Sequence, residues 1–116
     1  MKRYKQTSDL FGQTLSVEAK WLDDGIVVEV YGGDRTHVGA ICWAGHGQEI
    51  QCIRLEAHKE YLITEKWAPQ LAAVWNTPVT MLCGIHYDGA TREMLEQIVQ
   101  RTDQVLYELS SWIPED

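Results

Sequence analysis

Every second residue is apolar between residues 15 and 21, and the same alternation returns between residues 26 and 30. A period of two is typical of strands with one buried face, so the pattern predicts two β-strands. The dipeptide Asp24-Gly25 between them favours a two-residue hairpin turn. Residues 1–13 have no clear period and are predicted to form an N-terminal arm with at most a short extended piece. The predicted pairs across the hairpin are Trp21 with Val28, Ala19 with Val30 and Lys20 with Glu29.

Two further apolar runs, residues 38–44 and 49–56, predict a second hairpin with its turn centred on Gly47. Both faces of this hairpin carry apolar side chains, with Cys42 and Cys52 on the face opposite to Ile41 and Trp43. A sheet that is apolar on both faces is usually covered on both. We therefore expect helices on one side and another sheet or a second subunit on the other. The predicted pairs are Gly39 with Leu55, Ile41 with Ile53 and Trp43 with Gln51.

The apolar spacing becomes helical over residues 59–76, where Pro69 predicts a kink or a break near Trp67-Ala68. Residues 79–83 form a short apolar run that predicts a fifth strand. Thr91 has the position of an N-cap, and a helix of about twenty residues is predicted after it. The order β-β-β-β-α-β-α indicates an α+β fold, with a mainly antiparallel sheet of about five to six strands and two helices on one face. We expect residues 1–116 to form a single domain.

Charge and composition narrow the class of protein. The chain has 116 residues, a formal net charge of −7 and scattered lysines and arginines, which disfavours nucleic acid as a partner. It has no apolar run long enough to span a membrane and no apolar signal-peptide core, so we expect a cytoplasmic protein without a membrane partner. The three cysteines lie in apolar runs without a Cys-x-x-Cys pair, so they are expected to be reduced and buried.

Three motifs place a histidine where a strand gives way to a loop or helix: residues 32–40, 57–60 and 84–88. Such positions can present side chains to solvent from a rigid scaffold. Uncovered backbone N–H groups at glycines and at helix starts attract phosphate or carboxylate groups. Each motif also has a purely structural interpretation, in which the aspartate or threonine caps a turn or a helix.

Histidine with carboxylate could also serve acid–base catalysis or bind zinc or iron. However, no two histidines have the i, i+2 or i, i+4 spacing of a dedicated metal site. The sequence also lacks the Gly-x-Ser-x-Gly motif of one large hydrolase class. Metal and hydrolase sites are therefore disfavoured.

The ordered set of motifs resembles the LpdD-like family over roughly residues 14–112. The motifs that carry the resemblance are Gly32-Gly33-Asp34 with His37-Val38-Gly39-Ala40, then His58-Lys59-Glu60, then Gly84-Ile85-His86 with Asp88 and a terminal helix. That family is similar to the proteasome assembly chaperone fold, and its members accompany UbiX-type and UbiD-type proteins as prenylated-flavin chaperones.

The resemblance implies a homodimeric, non-catalytic accessory protein. It would bind prenylated FMN, or deliver it to a UbiD-like aromatic-acid decarboxylase, with a UbiX-like prenyltransferase as a further partner. Histidines and aspartates would be polar contacts, glycines would let the ligand approach the backbone, and Lys59 and Arg35 would meet the phosphate. The implied cofactor-binding residues are Gly32, Gly33, Asp34, Arg35, His37, Gly39, His58, Lys59, Gly84, His86 and Asp88.

Two alternatives stay open at this point. One is a structural assembly chaperone that binds a protein partner through the outer face of the second hairpin, where charging Cys42 or Cys52 would disrupt the complex. The other is a small enzyme that uses histidine and aspartate for acid–base or metal chemistry in the same pocket.

Overall fold

Six strands and two helices make up the computed structural model, which describes residues 1–47, 49–55 and 59–113. The strands lie in one sheet in the order β1-β2-β3-β6-β4-β5. Neighbouring strands are antiparallel except for β3 and β6, which are parallel. The elements are β1 (Lys2–Leu10), β2 (Gln13–Trp21), β3 (Ile26–Gly33), β4 (Ala40–Ala44), β5 (Ile50–Arg54), α1 (Tyr61–Trp75), β6 (Val79–His86) and α2 (Arg92–Ser110).

The predicted α+β class, with a mainly antiparallel sheet and two helices, is confirmed. One sheet face supplies alternate fully buried residues such as Val17, Val28 and Met81. These residues form one apolar core with Leu71 of α1 and Leu106 of α2. The opposite face, which we call the open sheet face, carries no helix in the described part of the chain.

The second hairpin has the predicted register: Ile41 pairs with Ile53 and Trp43 with Gln51. Cys42, however, is fully buried on the helix side, so the expectation that Cys42 and Cys52 lie on the outer face is wrong. Since side chains alternate along a strand, Ile41, Trp43 and Ile53 point to the open sheet face.

The register predicted for the first hairpin is wrong by two residues, because Trp21 pairs with Ile26 instead of Val28. The Leu22 N–H donates to the Gly25 carbonyl at 3.0 Å, which moves the turn to residues 23–24. A shift of two residues keeps every side chain on its predicted face. The expected contact between Lys20 and Glu29 is therefore still made, diagonally, with Nζ and Oε2 3.2 Å apart.

The predicted N-terminal arm contains the edge strand β1. It pairs with β2 along its whole length, from Lys2 opposite Trp21 to Leu10 opposite Gln13. The two residues that join the strands both have positive φ, 54° at Phe11 and 78° at Gly12. Two consecutive positive φ angles are typical of the tightest hairpin turns, so the chain folds straight back onto β2.

Two of the three cysteines depart from the expected reduced state, since Cys42 and Cys52 form a disulfide between β4 and β5. The cause is the hairpin register, which sets the two residues directly opposite each other. Cys83 is free and buried. Burial, followed by the nearby Glu60 carboxylate, raises the pKa of its thiol far above the usual range.

Helix α1 continues through Pro69, so of the kink or break predicted near Trp67-Ala68, the break is wrong. Trp67 instead fixes α1 to α2, because its indole Nε1 donates to Asp103 Oδ1 at 2.7 Å. Helix α2 begins as predicted, with the Thr91 side chain accepting from the Met94 N–H at 3.1 Å. Neither helix in the described ranges is long and apolar enough to cross a membrane.

Candidate functional site

The parallel pairing of β3 and β6 brings two of the histidine motifs together. Gly33, at the end of β3, pairs with His86, at the end of β6. Because the strands run in the same direction, the loops that follow them leave from the same edge of the sheet, where ligand sites commonly form. Ala40 pairs with Cys83, so β4 also begins at this edge. We call residues 33–39 and 84–88 the loop junction.

Asp34 braces the loop junction. Its backbone N–H donates to the His86 carbonyl at 2.6 Å. Its side chain accepts the Asp88 N–H at 2.8 Å through Oδ2 and the Gln13 amide at 3.1 Å through Oδ1. This carboxylate therefore ties the two loops and strand β2 together, rather than capping its own turn.

His86, Asp88 and Arg35 form a second polar group on the outer side of the junction. Asp88 Oδ1 lies 2.8 Å from His86 Nε2 and 3.4 Å from an Arg35 guanidinium nitrogen. The hydrogen bond with His86, and then that with Arg35, lower the pKa of the Asp88 carboxyl below its usual value. All three side chains are at least partly open to solvent, so the group can exchange these contacts for a ligand's.

His37 and Glu60 form the inner polar pair of the site. Glu60, which immediately precedes α1, is only 6% exposed, and its Oε2 contacts His37 Nε2. The same oxygen lies 3.4 Å from the Ile85 N–H. The rings of His37 and His86 meet edge to face, with their centroids 5.6 Å apart. The buried carboxylate thus connects the start of α1 to both loops of the junction.

Glu60 is the site residue that sequence reasoning missed. It stands in the His58-Lys59-Glu60 motif, but an acidic residue at a helix start is ordinarily solvated. The structure places Gly39 against this carboxylate, since a Cβ added at Gly39 would lie 2.0 Å from Glu60 Oε2. No local sequence pattern connects these two positions.

The space beside the predicted site glycines is filled by the protein itself. A Cβ added at Gly84 would lie 1.6 Å from the His37 carbonyl oxygen, and one at Gly33 would lie 1.9 Å from the His86 carbonyl oxygen. A Cβ added at Gly32, next to the junction, would be less crowded, at 3.1 Å from the Leu15 side-chain atom Cδ1. Close packing of the loop junction therefore explains the glycines at positions 33 and 84, and no ligand is needed to explain them.

A half-open cleft of about 280 Å³ lies between α1, β6 and α2, directly beside His86 and Glu60. A shallower groove of about 430 Å³ shares four of its lining residues and continues outward along the first turns of α2. Lys59 lines both. The walls of the cleft are mostly apolar, with Leu62, Ile63, Ile85, Ala90, Leu95 and Ile98 among the residues that form them.

The structure thus brings five predicted polar side chains together at the junction, besides Gly33, Gly39 and Gly84 in its backbone, and sets Lys59 beside the cleft. The five are Asp34, Arg35, His37, His86 and Asp88. His58 lies outside the described residues. In the described ranges, no group of three or more histidine, cysteine, aspartate or glutamate side chains is placed to hold a metal ion.

Comparisons with known proteins give a family and a fold. A family model described as the prenylated flavin chaperone LpdD-like domain matches residues 10–114. A chain from the crystal structure of a novel chaperone complex for yeast 20S proteasome assembly is similar at 15% identity with a TM-score of 0.55. The likeness covers 96% of this chain and 98% of that one. At this identity it shows the fold alone. Among curated proteins, none matches the sequence.

Proposed function

We propose that this chain, which belongs to the prenylated flavin chaperone LpdD-like family, binds prenylated FMN in the cleft beside the loop junction. It would hold the cofactor for a UbiD-like decarboxylase of aromatic acids. The observation that carries the proposal is the position of the cleft, because its apolar walls meet His86 and Glu60 at the same end. An apolar cavity with a few converging polar groups is the usual form of a cofactor site.

The lining of the cleft suits a flavin. A flat, largely apolar ring system gains from contact with side chains such as Ile63, Ile85 and Ile98. Its polar edge needs a small number of hydrogen-bonding partners, which His86 and Glu60 can provide. Cleft volumes for small ligands start near ~300 Å³, so the cleft and the adjoining groove together are needed for the whole cofactor.

We infer a non-catalytic role from the family, whose model is described as a chaperone domain. His37 is paired with the buried Glu60, and His86 with the exposed Asp88. In a non-catalytic role these pairs orient the ligand. The alternative is a small acid–base enzyme, in which a histidine removes a proton from the substrate. This alternative predicts that the isolated protein turns over an aromatic acid. Release of product without a UbiD-like partner would favour the enzyme.

The open sheet face supports a second element of the proposal, a protein contact. Ile41, Trp43, Val27 and Leu82 are partly exposed there, and Ile53 is 57% exposed. Adjacent apolar residues on one face are typical of interaction sites. We propose that this face joins two copies of the chain in a homodimer. A decarboxylase or UbiX-like prenyltransferase docked on the same face is the assembly-chaperone alternative. A cytoplasmic location remains a prediction from the sequence.

Anaerobic titration with reduced prenylated FMN, with plain FMN for comparison, tests the cofactor role. Absorbance and thermal shift should both report saturable binding by the wild type. His86→Ala and His37→Ala should weaken it with the fold intact. His46→Ala is the matched control, since this exposed histidine lies in the turn after β4, at the other end of the sheet. Equal binding by all three variants would count against the proposal.

The protein-contact element needs a separate measurement. Ile53→Lys should convert a dimer to a monomer in sedimentation, because it places a charge within the apolar part of the open sheet face. Thr7→Lys, on the polar part of the same face, is the control and should leave the mass unchanged. A wild type that is monomeric, yet captures a UbiD-like partner through Ile53, would support the assembly-chaperone alternative.

A further inference from the structure

Charges around the cleft and groove are distributed unevenly. The inner end of the cleft meets the buried Glu60 carboxylate, and Asp34 and Asp88 lie in the junction loops beside it. Arg92 and Glu96 line the groove, and Lys59 lines both spaces. In the described part of the chain, Lys59 and Arg92 are the only lysine or arginine side chains that line either space.

This asymmetry sets a direction for an anionic ligand. A phosphate monoester at the inner end would approach the buried Glu60 carboxylate and lose part of its water, which is costly for a charged group. In the groove it would keep more of its hydration and meet two cations. The mostly apolar walls of the cleft, in contrast, favour an uncharged ring.

We propose that the flavin lies with its ring in the cleft and its phosphate in the shallower groove, bound by Lys59 and Arg92. The inference rests on the proposed function and adds an orientation and a residue, Arg92, that the sequence did not indicate. It also replaces the expected role of Arg35 as a phosphate contact. Arg35 lines neither the cleft nor the groove and lies beside Asp88 on the outer side of the loop junction.

Glu96 modulates this end of the groove. Its carboxylate lies 3.7 Å from the Arg92 guanidinium, one turn further along α2, and both side chains are largely exposed. An exposed pair of this kind is weak, so a phosphate can displace it. Removing the Glu96 charge should therefore strengthen phosphate binding, whereas removing the Arg92 charge should weaken it.

The test compares two ligands that differ only in the phosphate: reduced prenylated FMN, and the same compound after phosphatase treatment, both titrated anaerobically. Lys59→Gln and Arg92→Gln should each raise the Kd for the phosphorylated ligand roughly 5- to 20-fold. The Kd for the dephosphorylated ligand should stay within about twofold. Glu96→Gln should lower the Kd for the phosphorylated ligand alone. Lys5→Gln, which removes one positive charge from strand β1, is the control for net charge.

The outcomes separate this inference from the proposed function. Loss of affinity for the phosphorylated ligand alone supports the orientation. Equal loss for both ligands, or no loss in either variant, overturns it while flavin binding stands. A wild type that binds neither ligand overturns the proposed function itself. Higher salt should weaken only the phosphorylated ligand, since screening acts on the exposed charges of the groove.

Discussion

Substitution of Gly84 by alanine tests the close packing on which the loop junction depends. Strand β6 passes directly under the His37 backbone, and an added Cβ would lie 1.6 Å from the His37 carbonyl oxygen and 2.5 Å from its carbonyl carbon. A carbon and an oxygen that are not bonded normally stay ~3.2 Å or more apart, so one backbone segment must move by about 1.5 Å. A side-chain rotation cannot relieve the clash, because the two His37 atoms that the new Cβ would meet belong to the main chain.

The expected cost follows from that displacement. Overpacking of a well-packed interior typically costs 1–3 kcal/mol, and a clash with backbone belongs at the upper end, so we expect the free energy of unfolding to fall by about 3 kcal/mol. For a chain of this length each kcal/mol corresponds to roughly 4 °C, which predicts a fall in Tm of about 12 °C. Ligand affinity should fall as well, since His37 moves.

Urea unfolding, followed by tryptophan fluorescence, measures the change. Gly47→Ala is the matched control, because a Cβ there meets only the flexible end of the Glu49 side chain, at 3.0 Å. Its free energy of unfolding should change by less than about 0.5 kcal/mol. If Gly84→Ala were as stable as Gly47→Ala, the packing of His37 against β6 would be refuted.

Three further predictions concern charge, pH and thiol chemistry. Glu60→Gln keeps the shape of the buried side chain but removes its charge from His37, and should lower the free energy of unfolding by about 1–3 kcal/mol; unchanged stability in urea would contradict the buried pair. The pKa of the Asp88 carboxyl in the folded protein should lie below 3.8, the value of an unperturbed aspartate. The contact with His86 therefore stabilises the fold above pH 3.8, and this stabilisation is lost as the pH falls through the pKa of the folded protein. Carboxyl NMR measures this midpoint, and His86→Ala should raise it towards 3.8. Cys83 should resist an aromatic disulfide reagent at pH 8 in the folded protein, because burial raises the pKa of its thiol. Unfolding without reductant should expose one thiol per chain, and three would disprove the disulfide.

Local sequence patterns predicted the hairpins and the face on which each strand side chain lies, because both depend on residues close together in the chain. The second hairpin has its predicted register because the chain reverses around Gly47 and both strands have a clear apolar period. The first hairpin is displaced by two residues, since a glycine can serve in the turn or just after it, and Gly25 lies after it with φ +100°. The faces still agreed, because a shift of two residues preserves the alternation.

The same patterns could not predict contacts between elements far apart in the chain. Strand β1 presents Tyr4, Gln6 and Ser8 towards the helices, a series too polar to read as a buried face, and α2 supplies the partners that make it stable. The parallel contact of β3 with β6 joins residues more than fifty positions apart. The site depends on that contact. Asp34, His37 and His86 could be predicted from the sequence, whereas the role of Glu60 depends on the contact of its carboxylate with Gly39 in the structure.

Amide chemical-shift mapping with reduced prenylated FMN, under anaerobic conditions, locates the bound ligand on the protein. Saturating ligand should shift the amides that surround the cleft, among them Glu60, Ile85, His86 and Leu95. Residues of the open sheet face, such as Trp43, should hardly change. Shifts confined to the open sheet face, or no shifts at a concentration that saturates a UbiD-like enzyme, would contradict a cofactor site at the loop junction.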